Sequence, residues 1–187
     1  MREITMESIT VVMVREDLDN IPQYPLPAGY HMRLYRPGDK KVWVRLWEAS
    51  DSLDRAAERF DESFGYDLPA LQKRCYFLVA PDGKDVGTIT AWYNRNFRGR
   101  RWGLIHWVAI IPEYQGRGLS KPMMTVAMNR LRALRHRRAY LRTQTHRIPA
   151  IKTYLDFGFL PDMTYPDAKR AWQIVRKYIN HPVLARL

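Results

Sequence analysis

Cysteine is almost absent: Cys75 is the only one in 187 residues. One thiol cannot close an intramolecular disulfide. No paired-cysteine metal or redox motif exists either, so no metal site is expected and nothing points to an oxidising compartment. Also missing is any run approaching the roughly 20 apolar residues of a membrane span. The N-terminus alternates charge with short apolar stretches and has no signal-peptide core, so the expectation is a cytoplasmic protein without a membrane partner. Acid is scarce in one region. From Arg95 to Arg147, thirteen Lys and Arg stand against the single acid Glu113. The remaining residues balance, so the net charge of +12 falls entirely within that segment. Hydrophobic residues at 46% and aromatics at 12% argue against disorder, and a chain of this length buries one substantial core.

The segment poor in acid contains the most informative stretch, HWVAIIPEYQGRGLSKP from His106 to Pro122. Ile105 to Ile111 carries no formal charge if His106 is neutral. It reads as a buried strand whose ladder Pro112 stops by removing a donor. Gly116 and Gly118 permit positive φ and bring bare backbone close to a ligand, and the Met-rich segment that follows has helical spacing. A loop feeding a helix N-terminus offers unpaired N–H groups and the positive end of the macrodipole, which suits a phosphate. Pro122 is tolerated in a first turn, and Arg117 and Lys121 are expected to add cations beside the donors. Two nucleotide motifs fail. Leu119 follows Gly118 where a P-loop needs Lys, and Lys121 occupies the third glycine position of G-x-G-x-x-G.

Around this cradle the chain alternates strands and helices. Residues 1–28 read as an arm or an added edge strand, because 8–15 has β-branched character and Pro22, Pro25 and Pro27 follow. The single main domain is expected over 29–187. Tyr30–Tyr35 predicts a strand, and Asp39 is placed to cap a helix bearing Val42, Trp43, Leu46 and Trp47. A second helix is predicted through Leu53, Ala56, Ala57, Phe60 and Phe64. Cys75–Ala80 and Asp85–Asn94 follow as strands, and NRNFRGRR connects to a central strand starting near Trp102. After the cradle come a helix through Met124, Met128, Leu131 and Leu134, a strand Ala139–Thr143, a helix ending before Gly158, and a strand Phe159–Met163. A final helix is predicted through Ala168, Ala171, Trp172, Val175 and Ile179. The layout is α/β.

Gln115-x-x-Gly118-x-Ser120 after a strand resembles the pyrophosphate-binding signature of the GNAT superfamily, acyl-CoA-dependent N-acyltransferases, usually written Q/R-x-x-G-x-G/A. Ser120 departs from its last position. A second familiar arrangement, A-I-x-x-Y-x-x-x-G-F, stands at Ala150, Ile151, Tyr154, Gly158 and Phe159. Two spaced motifs in the right order extend the resemblance over residues 29–163. It implies a mixed central sheet flanked by helices, with acetyl-CoA as donor and an amine as acceptor. Gln115, Gly116, Arg117, Gly118, Leu119, Ser120 and Lys121 would hold the cofactor. The backbone N–H of Ile110 would polarise the thioester carbonyl, and Tyr154 would protonate the departing coenzyme A thiol.

The base stays open. His106 lies on the central strand, and an imidazole with an ordinary pKa near about 6.5 accepts protons at neutral pH. Alternation places 106, 108 and 110 on one side of the sheet unless a bulge intervenes. Glu48, Asp51, Asp54 and a water relay are the alternatives. The acceptor itself and a homodimer are left open. The basic segment is expected to surround the cradle and collect a polyanion. Its rival reading is a non-catalytic binding module that uses that segment on nucleic acid, a less favoured partner because no nucleic-acid motif occurs.

Overall fold

The computed structural model describes residues 7–186. The first six residues of the expected N-terminal arm, and residue 187, lie outside the described residues. The elements in order are β1 (Thr10–Arg15), β2 (His31–Leu34), α1 (Lys40–Asp51), α2 (Ala56–Phe64), a short α3 (Leu68–Leu71), β3 (Cys75–Val79), β4 (Asp85–Phe97) and β5 (Arg100–Ile110). There follow α4 (Ser120–Ala133), β6 (Ala139–Gln144), α5 (Ile148–Asp156), β7 (Leu160–Pro161) and α6 (Ala168–Val175). The strands form a 7-stranded sheet in the order β2-β3-β4-β5-β6-β1-β7. Only β5 and β6 run parallel; the other neighbouring pairs are antiparallel. The sheet is therefore mixed, with helices on both faces.

Alternation along the strands builds two cores. Val11 and Met13 of β1 join Ile105, Met124, Met128, Ile151 and Trp172 on the face covered by α4, α5 and α6. Val12 and Val14 join Trp43, Trp47, Phe60, Phe64 and Trp102 on the face covered by α1, α2 and α3. Burying each large aromatic contributes roughly 1.5–3 kcal/mol. Trp43, Trp102 and Trp172 are among the largest side chains fully removed from solvent.

The structure corrects three expectations about elements. Residues 10–15 are not an arm or an edge strand: β1 lies inside the sheet, paired with β6 on one side and β7 on the other. The stretch NRNFRGRR, expected to connect a strand ending at Asn94 to one starting near Trp102, is mostly strand itself: β4 runs to Phe97, β5 starts at Arg100, and these two residues pair across a two-residue turn. Arg98 at φ 52° and Gly99 at φ 76° both take the left-handed conformation, whose twist matches a tight hairpin. Asp39 begins α1 without a side-chain cap. Its carboxylate instead accepts from Arg33 Nη1 at 2.6 Å and from the Arg36 N–H at 2.7 Å. No helix among the described residues is long and apolar enough to cross a membrane.

Candidate active site

The site is a fork between two parallel strands. The β5–β6 ladder runs from Gly103↔Ala139 to Ile105↔Leu141 and ends there, although β5 continues to Ile110 and β6 to Gln144. Beyond that rung the two strands present backbone to an opening. Ile111 N–H donates to the Val86 carbonyl at 3.0 Å. Antiparallel alternation then turns the N–H and C=O of Ile110 away from β4 and toward the fork. The Ile110 carbonyl accepts from Gln115 Nε2 at 2.8 Å. Its N–H is thus aimed where a ligand carbonyl could accept it.

A bulge on β5 decides which side chains reach the opening. Thr90 pairs with His106 and Thr88 with Ala109, so Trp107 and Val108 together oppose Ile89. Trp107 takes φ 51°, uncommon for a bulky residue and typical of a designed kink. The simple alternation of 106, 108 and 110 is therefore broken. Val108 and Ile110 pack with the α4–α6 core, whereas the Trp107 ring packs with the α1–α3 core. His106 faces the latter side, 5.9 Å from the Phe64 ring and 5.3 Å from that of Trp107. Trp107 Nε1 donates to Ser63 Oγ at 2.9 Å, which pins the kink to α2.

A cleft of about 570 Å³ passes through the fork. Trp47, Asp51, Leu53 and Arg59 line it from one face of the sheet, and Arg147 and Tyr154 from the other. Tyr154 is 7% exposed and belongs to the α4–α6 core. Its hydroxyl has no protein partner among the described residues and is not sealed from solvent, so it opens into the cleft. Burial pushes this phenol up to about 12. His106 lines the same cleft and a second one of about 510 Å³ lined by Tyr66, Trp92 and Tyr93. Burial, and secondarily the charge of Arg142, hold its imidazole down to about 3. The neutral imidazole is thereby favoured at physiological pH.

Of the alternative bases, Asp51 lines the cleft but is bound to Arg147 at 2.6 Å. Glu48 and Asp54 are exposed and do not line it.

The cradle follows β5 after a short 3₁₀ turn at Pro112–Tyr114. Gly116 and Gly118 adopt φ 73° and 72°, and a Cβ on either would meet nothing within 4 Å. The N–H groups of Gly116, Arg117, Gly118 and Leu119 have no protein acceptor among the described residues. Those of Ser120 and Lys121 are orphan donors of the first turn of α4. These groups fit an anionic diphosphate, because open backbone donors at a helix start supply what its oxygens need. The two cations are less free than their positions in the sequence imply. Lys121 Nζ is paired with Asp156 at 2.9 Å and lies 5.1 Å from the Tyr24 ring centre. Arg117 stacks on Tyr114 at 4.5 Å and donates to the Glu113 carbonyl at 2.8 Å.

The basic segment does not gather around the cradle. Arg130, Arg132, Arg135, Arg137 and Arg138 sit at or beyond the other end of α4, a helix of 14 residues and thus roughly 20 Å long. One acid from the N-terminal region answers part of the segment's charge, since Glu16 reaches Arg98 at 3.8 Å and Arg138 at 3.7 Å. No group of three or more His, Cys, Asp or Glu suited to a metal ion occurs among the described residues.

Sequence reasoning missed Trp47, Trp107, Arg142 and Arg147 as cleft residues. The tryptophans carry the same apolar signal as any core residue, and the arginines were indistinguishable from the other basic side chains.

Residues 41–159 match the acetyltransferase (GNAT) family. Mycothiol acetyltransferase of Actinosynnema mirum is 26% identical over 162 residues, covering 79% of this chain and 50% of that protein. The mycothiol acetyltransferase of Streptomyces griseus is 26% identical over 148 residues, covering 72% and 44%. The chain therefore spans about half the length of the curated relatives it matches. A GCN5-related N-acetyltransferase from Sphaerobacter thermophilus shares the fold, with a TM-score of 0.69 at 20% identity over 82% of this chain and 48% of that one.

Proposed function

Because the chain belongs to the acetyltransferase (GNAT) family, we propose that it transfers an acetyl group from acetyl-CoA to an amine, by direct attack within a ternary complex. The observation that carries this reading is the fork itself: the Tyr154 hydroxyl opens into the cleft between the diverging ends of β5 and β6, and β5 runs on through the Ile110 N–H, turned away from β4, to the cradle of donors that have no acceptor among the described residues. The N–H groups from Gly116 to Lys121 hold the donor's diphosphate, and Gln115 fixes the loop to β5 through the Ile110 carbonyl. Acetyl-CoA supplies a thioester as the activated acyl group. The Ile110 N–H stabilises negative charge on its carbonyl oxygen.

Tyr154 holds its proton at Oη at neutral pH, since burial pushes the phenol up. It gives that proton to the leaving sulfur. His106 is neutral and acts as a hydrogen-bond acceptor that orients the incoming amine, while the proton released by the amine leaves through water in the open cleft. Trp47, Leu53 and Trp107 exclude part of that water from the reacting face.

The test is thiol release from acetyl-CoA across a panel of amines, amino acids and peptides. Amine-dependent release is the expected result. Absence of release with every acceptor, together with no acetyl-CoA binding by calorimetry, would remove the enzyme reading and leave a binding module.

A further inference from the structure

The last β5–β6 rung is Ile105↔Leu141, so the first residues past it on the two strands are His106 and Arg142. Tyr140 packs with the α1–α3 core, and alternation along β6 puts Arg142 on that same face, as the β1 partner Val12 also requires. Arg142 therefore faces His106 at the mouth of the fork, on the side opposite Tyr154. Besides His106, the charged or ionisable side chains other than tyrosine that line this cleft are Asp51, Arg59, Arg142 and Arg147. Asp51 is taken by Arg147 at 2.6 Å, and Arg59 pairs with Glu62 at 3.3 Å. Arg142 has neither an ion pair nor a hydrogen bond among the described residues; its guanidinium lies 5.5 Å from the centre of the Tyr165 ring. The side chain is exposed at the cleft, and a guanidinium without an acceptor offers a planar rim of N–H donors that matches two oxygens of a planar anion.

We propose that Arg142 anchors an anionic group of the acceptor, so that the acceptor is an amine that also carries a carboxylate. This deepens the proposed reaction and rests on it. One uncompensated cation matches one carboxylate charge. A phosphate monoester, with about −1.5 to −2 charge, would leave part of its charge unanswered. Trp47, Leu53 and Trp107 supply an apolar wall for the remainder of the acceptor.

The experiment compares common L-amino acids with their carboxamides and with phosphoethanolamine, using wild type, Arg142→Gln and Arg142→Lys. The expected result is transfer favouring the free carboxylates. Arg142→Gln should raise their KM roughly 10- to 100-fold with kcat nearly unchanged, because a charge-assisted fork is lost. Arg142→Lys should restore part of the affinity, and the carboxamides should respond little to either change. Equal use of acids and carboxamides, or an equal loss for both in Arg142→Gln, overturns the proposal, as does a preference for phosphoethanolamine. If no amine supports thiol release, the proposed reaction fails separately. Calorimetry with the amino acids then decides the anchor: binding lost in Arg142→Gln supports it, and no binding to wild type overturns it.

Discussion

Asp51 and Arg147 meet at 2.6 Å across the cleft, joining the last residue of α1 to the residue that precedes α5. Both are partly exposed, so the pair contributes modestly to stability. Its larger effect is on the site, where it fixes the distance between the two walls and occupies the carboxylate nearest the fork.

Asp51→Asn is therefore expected to raise the acceptor KM while lowering kcat less than about 10-fold, since a committed carboxylate is not the proton acceptor. General acid–base groups typically contribute about 100-fold or more. Steady-state kinetics separates the cases, and a drop of that size in kcat alone would make Asp51 the base.

Tyr154→Phe removes one hydroxyl from a side chain already packed beside Phe159, with ring centres 6.4 Å apart. The urea midpoint and the acetyl-CoA Kd should stay near wild type, and turnover should fall about 100-fold. Wild-type turnover with a verified amine would show that the phenol only packs.

Gly118→Val tests the cradle. A Cβ there meets no neighbour within 4 Å, so the fold has room for the side chain. The cost arises from φ 72°, which a β-branched residue tolerates poorly, and from the loss of close approach to the backbone. Calorimetry should show acetyl-CoA affinity reduced at least tenfold in a folded variant; unchanged affinity would remove Gly118 from the binding site.

His106 and His136 give the stability a direction in pH. Burial is the first cause of both shifts, holding His106 at about 3 and His136 at about 4. Below the ordinary histidine value near 6.5 the unfolded chain binds protons that these two rings refuse, so stability must fall as pH falls. The loss begins near pH 6.5 and continues toward pH 3–4. Each ring adds at most about 1.4 kcal/mol per pH unit within that window. Urea titrations at pH 7, 6 and 5 should show a shallower decline in His136→Gln than in wild type. A turnover profile with an acidic limb near pH 6.5 that vanishes in His106→Gln would restore His106 as the base, because a ring held near 3 produces no limb there.

The sequence determined the features whose physics is local. The uncharged strand, the two glycines and the following helical stripe specify a strand, a cradle and a helix start, because turn chemistry and 3.6-residue periodicity act over a few neighbours. Ala150, Ile151, Tyr154, Gly158 and Phe159 likewise mark α5 and its end without knowledge of what packs against it. Tertiary structure decided what depends on distant partners. Trp107 bulges because β4 pairs with β5 in two registers, and nothing within β5 announces the extra residue. Arg98 occupies a hairpin turn without the Asn or Asp that normally signals one. Residues 10–15 enter the sheet interior because β6 and β7 both offer them edges, a slot invisible to a proline-rich boundary. Lys121 turns to Asp156, Asp51 to Arg147, and Arg142 is left facing His106. Charge pairing is settled by which surfaces the folded chain brings together, and composition alone fixes only how many charges there are to place.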